Sequence, residues 1–89
     1  MVVTEQKISE LAQQLGACLK AQGLTLATAE SCTGGWIAKA ITDCPGSSAV
    51  FGYGIVSYSN GAKESVLGVL NQTLEEHGAV SENVVKEMA

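Results

Sequence analysis

Ser31-Cys32-Thr33-Gly34-Gly35 places a hydroxyl and a thiol side by side, followed by three small residues. A nucleophile next to exposed backbone N–H groups is the minimum equipment for acyl transfer, because those groups can hold a developing oxyanion. The same N–H groups at a helix start also suit a phosphate. The spacing fits an ordinary capped helix start as well. A serine nucleophile needs a base. His77 is the single histidine, and it falls at the end of a short helix, the place of an exposed residue near a helix C-terminus. Lysine is the other known partner for serine. Lys39 lies about two turns down the helix that follows Ser31, roughly 12 Å away, and points away from it. Lys63 follows the second strand by a few residues, on the edge where Ser31 should lie, and is the geometric choice. A solvated lysine, paired with Glu64 or with nothing, is the alternative for it. Tyr58, near the end of that strand, offers a hydroxyl or mere packing. Cys32 competes as nucleophile, but neighbours in a tight turn point differently, so only one of Ser31 and Cys32 can face a substrate.

Other chemistries find little support. No Gly-Lys pair exists for a P-loop, and Gly52-Tyr53-Gly54 lacks a third glycine and lies within a strand. Cys18, Cys32 and Cys44 are dispersed, without C-x-x-C spacing, and with one histidine they do not suggest a metal site. Cys18 reads as a small buried hydrophobe on a helix. The chain carries five lysines, no arginine and a formal net charge of −4, with the lysines scattered singly, so nucleic-acid binding is not expected. The longest apolar run, Ala49 to Val56, is far short of a membrane span. Val2-Val3-Thr4-Glu5 has neither a basic start nor an apolar leader core, which points to the cytoplasm.

The elements that must position these groups follow from periodicity. Eighty-nine residues make one small domain with a thin core, and 46% hydrophobic content excludes disorder. Ile8, Leu11, Leu15, Cys18 and Leu19 predict a helix over about 5–22, with Thr4 as its cap and Gly23 after its end. Residues 24–29 (LTLATA) predict a buried strand, 33–42 a second helix, and 49–59 a second strand. Asp43-Cys44-Pro45-Gly46 and Asn60-Gly61 predict turns. Residues 62–69 suggest a short helix. Thr73-Leu74-Glu75-Glu76 has the form of a capping box for a helix ending at Gly78, and Ser81 caps a last helix over 82–89. The order α-β-α-β-α-α implies a βαβ unit with parallel strands. Ligands in such sheets sit at the carboxyl ends of the strands, where Ser31 and Tyr58 fall.

TAESCTGG, from Thr28 to Gly35, resembles the signature of the CinA C-terminal-domain family. Pro45-Gly46-Ser47-Ser48, Phe51, Val56-Ser57-Tyr58-Ser59-Asn60 and Ala62-Lys63 are similar to its second block. Gly78-Ala79-Val80-Ser81 with Val84 and Val85 is similar to its third. The resemblance covers nearly the whole chain and is nearest the family's stand-alone members. It implies a three-layer α/β/α sandwich of which residues 1–89 are the N-terminal portion, since family domains continue with further strands and a second glycine-rich block. It implies hydrolysis of the carboxamide of nicotinamide mononucleotide to nicotinate mononucleotide and ammonia, without metal or cofactor. Carried over by motif, Ser31 is the nucleophile and Lys63 the base. Tyr58 and Ser48 are candidate site residues, and the turn of Thr33, Gly34 and Gly35 is the oxyanion site. Lys63 or Tyr58 would return a proton to the departing ammonia. A non-catalytic nucleotide- or phosphate-binding module is the alternative. The small-molecule substrate is the expected partner, with a second copy of the chain in a homodimer. By itself the chain is expected to be marginally stable, to associate, and to release no ammonia, because two strands leave a sheet's edges open.

Overall fold

The computed structural model describes residues 4–89; Val2 and Val3, read above for the absence of a leader, lie outside them. Helix α1 spans Glu5–Gln22. Thr4 Oγ accepts the Lys7 N–H at 3.1 Å, and Gly23, at φ 67°, closes the other end. Leu24 then donates its N–H to the Leu19 carbonyl at 2.9 Å, completing a Schellman closure. That closure takes Leu24 out of the strand, so β1 is Leu26–Glu30 rather than 24–29. Helix α2, Trp36–Thr42, begins three residues later than expected. Gly34 and Gly35 stand at φ 65° and 96°, a left-handed pair that a right-handed helix cannot include. A single 3-10 turn, Ser47–Ala49, precedes β2, Phe51–Val56. Three helices follow, at the three segments expected to be helical although the order α-β-α-β-α-α counted two: α3 Asn60–Leu67, α4 Asn71–His77 and α5 Glu82–Met88.

Among the described residues the sheet has two strands, β1 paired with β2. Leu26 N–H meets the Val50 carbonyl at the start, and Ser57 N–H meets the Glu30 carbonyl at 2.9 Å at the end. Both strands ascend together, so they are parallel, joined through α2 as a βαβ unit.

The chain divides into two compact units. One takes the chain up to Thr28 together with Gly35–Gly54. Its buried apolar residues are Ala12, Ile41 and Val50. Ala12 of α1 is buried, and a Cβ on Gly16 one turn later would stand 3.9 Å from a Val50 methyl, so this face of the helix looks inward. Cys18, about 200° further round, is exposed rather than buried, and its sulfur accepts from Gln22 Nε2. Gly54 earns its place by crowding: a Cβ there would stand 2.7 Å from Thr28 Oγ1 and 3.3 Å from Ala38 Cβ.

The other unit takes Ala29–Gly34 and Ile55–Ala89. Its core is Val69, Leu74 and Val84, with Leu67, Ala79 and Met88 packed around them. Ser81 caps α5 as its spacing predicts, accepting the Val84 N–H. The capping box at Thr73 does not form. Helix α4 starts earlier, at Asn71, so Thr73 is already inside it. A carboxylate from a different helix does the capping: Glu87 accepts the Leu70 N–H at 2.9 Å and the Thr73 hydroxyl at 2.6 Å. These two hydrogen bonds, the hydroxyl's first, hold the Glu87 carboxyl below its ordinary range. Asn60-Gly61 is likewise no free turn. It forms the first turn of α3, capped by Ser59 Oγ on the Ala62 N–H.

Candidate active site

Three segments of the second unit converge: the end of β1 with the turn after it, the residues leaving β2, and the first turn of α3. Lys63 is the fourth residue after the Ser59 cap. Helical side chains lean toward the N-terminus, so its stem folds back over the chain that leads into its own helix. Nζ donates to the carbonyls of Ser57 at 3.1 Å and Tyr58 at 3.2 Å. It also reaches Ser31 Oγ at 2.9 Å, across 32 residues of sequence. Lys63 is only 2% exposed, which is tolerable for an amine because each of its directions meets an oxygen.

The arrangement has a chemical consequence. As an ammonium, the amine donates to all three oxygens. As a neutral amine, its two N–H groups go to the two carbonyls, which can only accept. Its lone pair is then left for the one neighbour that carries a proton, the Ser31 hydroxyl. The geometry thus leaves the Ser31 hydroxyl as the one proton-bearing neighbour of Lys63 Nζ, at 2.9 Å.

The other residues singled out from sequence fall differently. Cys32 is exposed, and it is Ser31 that meets the lysine. Lys39 pairs with Asp43 at 2.7 Å, and this hydrogen bond, with the carboxylate's charge, raises its pKa above the ordinary value. Tyr58 contributes its carbonyl, while the residue as a whole is 72% exposed. Thr33 turns its hydroxyl to the Glu30 carboxylate at 2.8 Å. The Gly34 N–H, expected as an oxyanion donor, is engaged by the Ser31 carbonyl at 2.9 Å. Gly35 and Ser48 fall in the first unit, Gly35 as the cap of α2 and Ser48 exposed on the 3-10 turn. His77 ends α4, exposed, 3.8 Å from Glu76. Among the described residues no cluster of three His, Cys, Asp or Glu could hold a metal ion, and no helix is long and apolar enough to cross a membrane.

Two site residues escape sequence reading. Glu30 is 3% exposed and Ser57 is 1% exposed. The signal for Glu30 is present: a carboxylate ends an otherwise uncharged strand, immediately before Ser31. For Ser57, whose hydroxyl meets no partner among the described residues, no spacing announces burial.

The family model described as the CinA C-terminal domain matches residues 8–89. The nicotinamide-nucleotide amidohydrolase PncC of Escherichia coli K12 is 58% identical over 87 residues, which cover 98% of this chain and 53% of that protein. A competence-damaged protein (CinA) superfamily protein from Escherichia coli matches with a TM-score of 0.92 and 39% identity, covering 100% of this chain and 52% of that one. The competence/damage inducible protein CihA of Agrobacterium tumefaciens matches with a TM-score of 0.91 and 45% identity, covering 100% and 53%. The chain thus spans about half the length of the curated relatives it matches, and its α/β fold is that of the corresponding part of the solved structures.

Proposed function

Because the chain belongs to the CinA C-terminal domain family, we propose that it supplies the Ser/Lys half of a nicotinamide-nucleotide amidohydrolase, as the N-terminal portion of that domain. The observation that carries the proposal is the 2.9 Å contact between Lys63 Nζ and Ser31 Oγ, with two carbonyls occupying the amine's other positions. The similarity to PncC directs the substrate class toward a pyridine nucleotide carboxamide.

In this reading neutral Lys63 takes the Ser31 proton as Oγ attacks the carboxamide carbon. The tetrahedral oxyanion is held by backbone N–H groups of the turn after Ser31. Thr33 takes that role within this unit, since the Gly34 N–H is engaged. Protonated Lys63 then delivers its proton to the departing ammonia, with the Tyr58 hydroxyl as the second candidate. Water hydrolyses the resulting ester, with Lys63 again accepting a proton. The reaction runs in the cytoplasm on a free nucleotide and calls for no cofactor. Ser48 remains a candidate contact to substrate.

The test is a chimera in which this chain replaces the 87 matched residues of the Escherichia coli relative. Ammonia release from nicotinamide mononucleotide is expected from the chimera, to vanish with Ser31→Ala, and to persist largely with Cys32→Ala. A dead Cys32→Ala protein beside an active Ser31→Ala protein would exclude the serine mechanism. The isolated chain is expected to release no ammonia and to associate, as a dimer, in sedimentation. A monomeric chain with clear turnover would show that the site needs no more than these residues.

A further inference from the structure

We propose that Glu30 is a positioning residue for the Ser31 nucleophile, acting through the hydroxyl of Thr33. The inference rests on the Ser31–Lys63 reading above and adds to it a residue that the proton transfer itself does not use. A carboxylate that is 3% exposed is costly to bury, and this one ends a strand that is otherwise uncharged. Its Oε1 accepts the Thr33 hydroxyl at 2.8 Å. That bond spans the two residues between them, Ser31 and Cys32, and closes the turn that carries the nucleophile.

The backbone shows why such a closure matters. Beyond Thr33 the chain runs through Gly34 and Gly35, both at positive φ, where glycine leaves the most conformational freedom to be lost. The Gly34 N–H also ties back to the Ser31 carbonyl at 2.9 Å. On the other side, the Glu30 carbonyl accepts the Ser57 N–H at 2.9 Å. The Ser57 carbonyl in turn accepts from Lys63 Nζ at 3.1 Å. Ser31 Oγ, Lys63, Ser57 and Glu30 therefore form a closed ring, completed by the peptide bond from Glu30 to Ser31. Glu30 is the member of that ring that also grips the turn. Its side chain sets where Ser31 enters, and Thr33 carries the grip past the nucleophile.

The test uses the chimera described above and needs no nucleotide turnover. A fluorophosphonate probe, whose fluoride is displaced by an activated serine oxygen, is incubated with the purified chimera. The rate of labelling at Ser31 is followed by mass spectrometry. Lys63→Ala is expected to abolish labelling. Thr33→Val, at an exposed position where folding is not threatened, is expected to slow it about 10- to 100-fold, the cost of a displaced reacting group. Thr33→Ser, which returns the hydroxyl, is expected to recover most of the rate. In a Glu30→Ala background Thr33→Val should add nothing further, and if Glu30→Ala does not fold, the valine and serine variants decide alone. Loss with Lys63→Ala but an unchanged rate with Thr33→Val overturns the positioning role while leaving the Ser/Lys reading intact. Labelling that ignores Lys63→Ala, or no labelling of Ser31 at all, overturns that reading and this inference with it.

Discussion

Replacing Lys63 by methionine keeps an unbranched apolar stem and removes the amine, so it separates the lysine's chemistry from its packing. Three hydrogen bonds disappear, to Ser31 Oγ, the Ser57 carbonyl and the Tyr58 carbonyl. Only the Ser57 contact is fully buried; the other two are part-buried, where water can substitute. The stability loss should therefore be close to that of one orphaned buried acceptor, about 1–3 kcal/mol. At about 4–8 °C per kcal/mol for a chain of this size, that is a readable shift in thermal unfolding. The catalytic loss should be far larger than that modest destabilisation implies, about 10²- to 10⁴-fold for removal of a general base. The assay is ammonia release from nicotinamide mononucleotide by the chimera, at a temperature where circular dichroism shows the variant folded. Lys63→Arg is the companion, because a guanidinium keeps the charge but does not give up its proton in this range. A Lys63→Met protein that is destabilised yet turns over normally would refute the proton-transfer argument, leaving the lysine as a structural tie. A fully active Lys63→Arg protein would refute it equally.

Gly54→Ala is expected to cost about 1–3 kcal/mol, because the new methyl meets Thr28 Oγ1 at 2.7 Å and Ala38 Cβ at 3.3 Å; an unchanged melting temperature would show that the strand yields freely. Ser57→Ala removes a buried hydroxyl that has no partner among the described residues, so it should leave stability unchanged or raise it by up to about 1–3 kcal/mol. A lowered melting temperature would mean that the hydroxyl is in fact bonded. The Glu87 carboxyl is held below its ordinary range by Thr73 and Leu70, so its contribution is complete above the unfolded glutamate range and fades as pH falls through the folded value. Thr73→Val should flatten that acid dependence, measured as unfolding midpoints on the acid side of neutrality, and an identical pH profile in the variant would contradict the assignment.

How much was legible in sequence depended on how far apart the partners lie. The caps of α1 and α5 were readable because Thr4 and Ser81 bond N–H groups three residues on. Gly23 marked the end of α1 through its own backbone, without help from the rest of the chain. Strand-to-helix order and the glycine-rich turn were likewise local, and they sufficed to put Ser31 at a strand end. The start of α2 was misplaced because the left-handed pair Gly34 and Gly35 belongs to the turn, and composition does not tell a helical glycine from a turn glycine. The true cap of α4 was invisible, since Glu87 reaches it from 14 and 17 residues away. Cys18 was read as buried from helical periodicity, which gives spacing but not which stripe faces inward. The stripe that faces inward carries Ala12 and Gly16, on the side of Val50. From the chain alone, Lys63 was a basic residue on the right edge of a sheet, with a solvated alternative. Tertiary structure decided its burial and its three oxygen partners, because a side chain leaning back along its helix meets only what the fold has placed there, here a serine 32 residues earlier.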